Sequence, residues 1–123
     1  MTSGQPSVLV VEDDPSVARM LRISLRQAGF AVIHVTTGGE ALVQLQHAQP
    51  DAVVLDLGLP DDRAGDVLAK LRGREDARHP AWLVVTAQDR DDVTKRYGQL
   101  GSHFISKPFD PWGLVEALQL QLA

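Results

Sequence analysis

Residues 8–15 read VLVVEDDP, an apolar run of four residues followed at once by three acidic residues and a proline. Valine and leucine without polar interruption are typical of a strand covered on both faces of a parallel sheet. Asp14 suits the cap of a helix and Pro15 its first position. The stretch therefore predicts a strand, a turn carrying Glu12 and Asp13, and a helix that starts at Pro15.

Strand-like apolar runs and segments of helical periodicity alternate along the rest of the chain. This alternation is typical of βαβ units and predicts an α/β fold with a parallel sheet. The predicted strands cover residues 8–11, 31–35, 52–57, 82–86 and 104–106. The predicted helices cover residues 15–28, 40–48, a segment ending at residue 72, 91–100, and a segment that starts after Pro111.

Composition describes one globular domain. The chain has 123 residues, of which 44% are hydrophobic and 23% charged, and we expect a tail at residues 1–7 and the domain at residues 8–123. A net charge of -4 argues against direct nucleic-acid binding by this domain. The lack of cysteine excludes disulfides, thiolate catalysis and cysteine zinc sites. With no signal peptide or membrane span in the pattern, we expect a cytoplasmic protein with no membrane partner.

Polar side chains follow four of the five predicted strands. They are Glu12 and Asp13, then Asp56, Thr86 and Lys107, and the carboxyl ends of parallel strands meet at one edge of a sheet. Three carboxylates in one place repel unless a cation neutralises them. Oxygen ligands without histidine or cysteine favour Mg²⁺, and Mg²⁺ beside a lysine and a hydroxyl indicates phosphoryl transfer to a carboxylate.

The segments VLVVEDDP, VVLDLGLP, VVTA and FISKPF, in this order, resemble the receiver domain of two-component response regulators. The resemblance covers residues 8–122, nearly the whole chain. It implies a flavodoxin-like (βα)₅ fold whose five parallel strands have the order 2-1-3-4-5. It also implies a phosphoprotein that relays a signal and catalyses only its own phosphorylation and dephosphorylation.

The resemblance assigns roles to the acidic residues. Asp56 is the implied phosphoacceptor. Asp13, Asp56 and the Gly58 backbone carbonyl are the implied direct ligands of Mg²⁺, and Glu12 is expected to act largely through water.

The same resemblance implies a switch. Lys107 is expected to pair with the phosphoryl group, Thr86 to bond it and move toward it, and Phe104 to follow as the coupled aromatic residue. Phe104 has no hydroxyl group, so its burial leaves no polar atom unpaired, whereas a tyrosine would need a partner.

The implied partners are a sensor histidine kinase or a histidine phosphotransfer protein as donor. The implied output is either a separate downstream protein or an effector domain of a longer protein of which this receiver is an excised part. The resemblance also implies a phosphorylation-dependent dimer. Gly113 and Ala117 stand where the winged-helix class of these regulators carries charges, which argues against the dimerisation mode of that class.

The sequence also departs from the family pattern near the acceptor. Asp62, Arg63 and Ala64 replace a Met-Asp-Gly-like turn, so we expect an altered start of the third helix. Gly58 and Gln88 occupy positions that tune the phosphate lifetime. Gly58 has no side chain to orient an attacking water, whereas Gln88 has one.

Three alternatives remain at this point. A phosphatase of the haloacid-dehalogenase-like type also uses an aspartyl nucleophile, but its second Asp is replaced here by Gly58. A degenerate receiver that serves only as an interaction module would not need Glu12, Asp13, Asp56, Thr86 and Lys107. A nucleotide-binding Rossmann unit is disfavoured because the turn after the first strand is acidic rather than glycine-rich.

The remaining polar and aromatic residues suggest local roles. We expect Asp61 and Asp62 in the loop after Pro60, and Trp112 partly exposed at the start of the last helix. The histidines share no metal-binding spacing, which favours surface or packing roles; they are His34, His47, His79 and His103. The acids Asp89, Asp91 and Asp92 are expected at the start of the fourth helix.

Overall fold

A five-stranded parallel sheet forms the centre of the molecule. The computed structural model describes residues 4–73 and 80–123, and there the strand order is β2-β1-β3-β4-β5. The strands are β1 (Ser7–Val11), β2 (Ala31–Val35), β3 (Ala52–Leu55), β4 (Ala81–Thr86) and β5 (Phe104–Ser106). The predicted fold class and strand order are confirmed.

Helices cover both faces of the sheet. They are α1 (Pro15–Gln27), α2 (Gly38–His47), α3 (Ala64–Arg72), α4 (Arg90–Tyr97) and α5 (Pro111–Leu122). One core lies between the sheet and α1 with α5, and a second lies between the sheet and α2, α3 and α4. Because β1 and β3 are buried on both sides, they require the continuous apolar runs seen in the sequence.

Backbone hydrogen bonds extend the parallel ladder past the ends of the strands. The donor and acceptor pairs are Glu12 N–H to Val35 O (3.1 Å), Asp56 N–H to Val11 O (3.0 Å) and Lys107 N–H to Thr86 O (2.9 Å). The residues just after β1, β3 and β5 are therefore held by the sheet itself. The residues after β1 and β3 lie where the chain order reverses, which is where ligands bind in such sheets.

Helix boundaries follow local capping. The Asp14 carboxylate accepts hydrogen bonds from Ser16 N–H (2.9 Å) and Val17 N–H (3.3 Å), so α1 starts at Pro15 as predicted. Helix α4 ends at Tyr97, three residues before the predicted end, because Gly98 has a φ of 85°. That left-handed conformation suits glycine and ends the helix.

Helix α2 starts at Gly38, two residues before the predicted start. The Thr37 hydroxyl accepts a hydrogen bond from Glu40 N–H at 3.1 Å. The Asp61 carboxylate accepts from Gly38 N–H at 3.1 Å and from Gly39 N–H at 2.9 Å. A side chain distant in sequence therefore completes the cap, which local periodicity does not show.

The free edge of β4 is closed by side chains. Strand β5 pairs only with the carboxyl half of β4. At the other half, the Gln121 side chain accepts from Trp82 N–H (3.0 Å) and donates to Trp82 O (2.9 Å). His103 stacks on the Trp82 ring with centroids 3.7 Å apart, which confirms a packing role. His79 lies outside the described residues.

The predicted positions of Asp89 and Trp112, which lie away from the carboxylates, are confirmed. Asp89 caps α4 by accepting from Asp91 N–H (3.0 Å) and Asp92 N–H (3.3 Å), and Trp112 is 52% exposed. Within residues 4–73 and 80–123, none of the helices combines the length and the apolar character needed to cross a membrane.

Candidate functional site

Three carboxylates converge at the carboxyl edge of the sheet. Glu12, Asp13 and Asp56 each offer an oxygen, and these oxygens lie within 4.8 Å of one another. Glu12 and Asp56 are buried, at 2% and 6% exposure, whereas Asp13 is exposed. The sheet thus brings together the three acids predicted from the sequence, with one side of the cluster open to solvent.

Lys107 bridges two of these acids. Its Nζ lies 2.8 Å from Glu12 Oε1 and 3.4 Å from Asp56 Oδ2. Burial alone would lower the pKa of Lys107, but the Glu12 hydrogen bond and the Asp56 charge outweigh it and the pKa is raised. Lys107 therefore stays charged and can bind an anion that arrives at Asp56.

For Glu12, in contrast to Lys107, the effect of burial on the pKa outweighs that of the hydrogen bonds. Burial raises the pKa of the Glu12 carboxyl and the Asp56 charge adds to this effect, against the hydrogen bonds from Lys107 and Asp14 N–H. With all three carboxylates ionised, the cluster carries more negative charge than Lys107 neutralises, and the raised pKa of Glu12 reflects burial as well as this repulsion. A hard cation on these oxygens would remove the repulsion, and the oxygen-only donor set fits Mg²⁺.

The two oxygens of Asp56 have different surroundings. Gly58 N–H donates to Oδ1 at 3.2 Å, and Lys107 faces Oδ2. A Cβ atom added at Gly58 would lie 3.9 Å from either carboxylate oxygen, which is ordinary contact. Strand β3 ends at Leu55 rather than residue 57, so Asp56 belongs to the turn and its carboxylate is fixed by these two contacts.

Thr86 and Phe104 lie in the same part of the structure. Thr86 is 1% exposed, and its hydroxyl oxygen accepts a hydrogen bond from Gln88 N–H at 3.1 Å. Phe104 is 6% exposed and packs in the core that also contains Val93 of α4. The Arg90 guanidinium lies 4.4 Å from the centre of the Phe104 ring, so α4 covers the ring with a cation.

Comparison with known proteins decides the family. A family model described as "Response regulator receiver domain" matches residues 8–119. The chain belongs to the response regulator receiver family. The predicted resemblance is thereby confirmed, and magnesium and phosphorylation are typical of this family.

Curated relatives of this receiver domain are transcriptional regulators. The transcriptional regulatory protein KdpE of Mycobacterium tuberculosis is 39% identical over 102 residues, which are 83% of this chain and 44% of that protein. The DNA-binding response regulator MtrA of Mycolicibacterium smegmatis is 35% identical over 122 residues, 99% of this chain and 53% of that protein. The receiver domain spans about half the length of these relatives.

A solved structure supports the fold. The response regulator receiver domain, described as CheY-like, from Methylobacillus flagellatus aligns with a TM-score of 0.79 at 27% identity. The alignment covers 95% of this receiver domain and 98% of that chain. The flavodoxin-like fold predicted from the sequence is confirmed.

Several contacts between distant segments of the receiver domain were not predicted, and three of them lie near the site. Asp61 caps α2 across the surface, beyond its expected place in the loop, and hydrogen bonds from Gly39 N–H and Gly38 N–H help lower its pKa. Arg90 covers Phe104. His34 bonds the backbone carbonyl of Glu12 at 2.8 Å. Each contact joins distant segments, so spacing along the chain gives no signal of it.

The turn after Pro60 leads into α3 without a side-chain cap. Arg63 precedes α3, and its side chain makes no capping hydrogen bond. Its Nε instead donates to Asp66 Oδ2 at 3.1 Å.

Proposed function

We propose that this receiver domain accepts a phosphoryl group on Asp56 in a reaction that requires Mg²⁺, and that the modified domain controls a partner. The observation that carries the proposal is the placement of Asp56. Its buried carboxylate has Gly58 N–H on one oxygen, Lys107 near the other, and Glu12 and Asp13 beside it.

Asp56 is the nucleophile. An oxygen of its carboxylate forms a bond to phosphorus while the bond from phosphorus to the donor atom breaks, and the leaving group takes a proton. The donor is a phosphohistidine of a sensor histidine kinase or a histidine phosphotransfer protein. The product is an acyl phosphate with about two negative charges in place of the single charge of the carboxylate, so the domain gains about one negative charge.

Glu12, Asp13 and Asp56 would hold Mg²⁺, with the Gly58 carbonyl as a further ligand and Glu12 acting largely through water. When bound, the ion neutralises negative charge on the carboxylates and on the phosphoryl oxygens. Lys107 contributes the protein's own positive charge, because its ammonium already faces Asp56 Oδ2.

Thr86 and Phe104 transmit the change. The Thr86 hydroxyl, now an acceptor from Gln88 N–H, turns to donate to a phosphoryl oxygen. Its movement alters the packing of Phe104 and the surface formed by α4, β5 and α5. That surface is the output of the switch.

The output has two candidate forms. One is a separate protein target, and the other is an effector domain in a longer cytoplasmic regulator. The length and names of KdpE and MtrA, the latter a DNA-binding response regulator, favour the second form. In either form the receiver domain itself makes no direct contact with nucleic acid.

Intact-protein mass after incubation with acetyl phosphate tests the proposal. We expect a gain of one phosphoryl group in the parent with Mg²⁺, and no gain with a chelator or in Asp56→Asn. The matched control is Asp91→Asn, which changes an exposed acid outside the cluster. Folded parent protein that gains no phosphate at any Mg²⁺ concentration would overturn the proposal.

A further inference from the structure

Every polar group of Glu12 has a partner. Its N–H donates to Val35 O at 3.1 Å, Oε1 accepts from Lys107 at 2.8 Å, and Oε2 accepts from Asp14 N–H at 3.2 Å. The remaining group is the backbone carbonyl, and His34 Nε2 lies 2.8 Å from it. Glu12 is thus fixed by four separate contacts, of which the last comes from β2.

The partners of His34 define its tautomer. The Glu12 carbonyl can only accept, so Nε2 must carry the hydrogen. Arg22 Nη1 lies 3.1 Å from His34 Nδ1 and can only donate, so Nδ1 must be unprotonated. Arg22 of α1 therefore holds His34 as the neutral Nε2–H form, which is the donor that Glu12 requires.

Asp13 depends on this arrangement. The Glu12 carbonyl belongs to the peptide group that leads into Asp13, so a bond to that oxygen fixes the plane from which Asp13 extends. On its other side, Asp14 is fixed as the cap of α1. Within the part of the chain that the structure describes, the exposed Asp13 carboxylate has no hydrogen bond or ion pair of its own, so the backbone sets its position.

We infer that His34 is a positioning residue for the metal site. Held by Arg22, it orients the Glu12–Asp13 peptide group and so places the Asp13 carboxylate beside Asp56. The inference rests on the proposed function and adds two residues to it. Neither residue contacts the phosphoryl group, so the expected effect is on Mg²⁺ affinity rather than on the chemical step.

Mg²⁺ affinity of paired variants tests the inference. Isothermal titration calorimetry is carried out on the parent, His34→Leu and His34→Gln. We expect His34→Leu to bind Mg²⁺ about tenfold more weakly, at the low end for residues that orient a metal ligand. His34→Gln should recover most of the affinity, because its amide nitrogen can take the place of Nε2. Phosphorylation of His34→Leu at saturating Mg²⁺ should match the parent.

Two further measurements separate positioning from a general loss of structure. Urea unfolding measures the stability of each variant. If His34 has a purely structural role, His34→Leu lowers the stability without changing the Mg²⁺ affinity of the folded protein. Long-range ¹H–¹⁵N NMR of the parent should show His34 protonated at Nε2 alone. Arg22→Gln should weaken that preference, whereas Arg19→Gln, an exposed change on the same helix, should not.

The outcomes are distinct from those of the proposed function. A parent that fails to bind Mg²⁺ overturns the proposed function and this inference with it. A parent that binds Mg²⁺ and accepts phosphate, beside a folded His34→Leu with the same Mg²⁺ affinity, overturns the inference alone. Protonation of Nδ1 rather than Nε2 in the parent also overturns it, even if His34→Leu does not fold.

Discussion

Lys107 Nζ lies 2.8 Å from Glu12 Oε1 and 3.4 Å from Asp56 Oδ2, so one half-buried ammonium group contacts two buried carboxylates. The shorter contact goes to Glu12, not to Asp56, the proposed phosphoacceptor. Asp56 therefore keeps an oxygen that is only loosely paired. This arrangement leaves Lys107 free to follow a phosphoryl group without first giving up a tight bond to Asp56.

Lys107→Met removes the charge and keeps the length of the side chain. We expect phosphorylation by acetyl phosphate to slow by about tenfold to a hundredfold, because a preorganised cation near the phosphoryl oxygens is lost. The pKa of Glu12 should also rise further, because the hydrogen bond that opposes the effect of burial is gone.

Carboxyl ¹³C NMR titration measures the Glu12 pKa, and time-resolved intact mass measures the rate. Lys95→Met, at an exposed position of α4, is the control. A Lys107→Met protein that is phosphorylated at the parental rate would contradict the assigned role.

Phe104→Tyr tests the switch. The Phe104 ring is buried under Arg90, and a tyrosine hydroxyl placed there would need a hydrogen-bond partner. We expect the tyrosine ring to occupy the buried, inward position in a smaller fraction of molecules than the phenylalanine ring does. NMR exchange and aromatic chemical shifts measure this fraction. Equal fractions of inward ring in the two proteins would contradict the hypothesis that the lack of a hydroxyl group on Phe104 makes its burial more favourable.

Gly58→Asn tests control of the phosphate lifetime. The site has room for a side chain, since an added Cβ would only touch the Asp56 oxygens at 3.9 Å. An amide there can orient a water toward the acyl phosphate, so we expect faster loss of the phosphoryl group. Gly58→Ala, which cannot hold a water, is the control and should keep the parental lifetime in a mass time course. Identical lifetimes for Asn and Ala would reject this explanation.

Asp61→Asn tests the cap that joins the turn after β3 to α2. Hydrogen bonds from Gly39 N–H, Gly38 N–H and Arg63 N–H lower the pKa of Asp61 below 3.8. A lowered pKa means that the ionised form stabilises the fold above pH 3.8 and that this contribution is lost as pH falls through the folded-state pKa. We expect Asp61→Asn to be less stable than the parent at neutral pH and to approach it in acid.

Urea unfolding at several pH values measures the difference, and Asp66→Asn serves as the control at another exposed acid. If the difference in the free energy of unfolding between the parent and Asp61→Asn stays constant from pH 7 to pH 3, the charge on Asp61 contributes nothing to stability.

Much of the fold could be predicted because its signals are local. Apolar runs of strand length and the helix cap at Asp14 depend only on residues close in sequence. Parallel strands then bring their carboxyl ends together, so the acidic site follows from the order of the elements. The predicted positions of Glu12, Asp13 and Asp56 were correct for this reason.

The predicted ends of α4 and β3 were wrong for local reasons, since α4 ends at Tyr97 before Gly98 and β3 ends at Leu55. Most of the other errors and omissions are contacts between distant segments. The predicted helix α2 started late because its cap comes partly from Asp61, more than twenty residues away. The cover of Arg90 over Phe104 and the bond of His34 to Glu12 depend on how elements pack. Such contacts leave no periodic pattern in one sequence.

The central claim is that Asp56 is the phosphoacceptor, and chemical trapping tests it most directly. Borohydride reduces an aspartyl phosphate to homoserine, so protein treated with acetyl phosphate and Mg²⁺ is reduced, digested and analysed by peptide mass spectrometry. We expect homoserine at residue 56 alone, and none without Mg²⁺. Homoserine at residue 13 or at another aspartate, or no reduction in folded and Mg²⁺-bound protein, would contradict it.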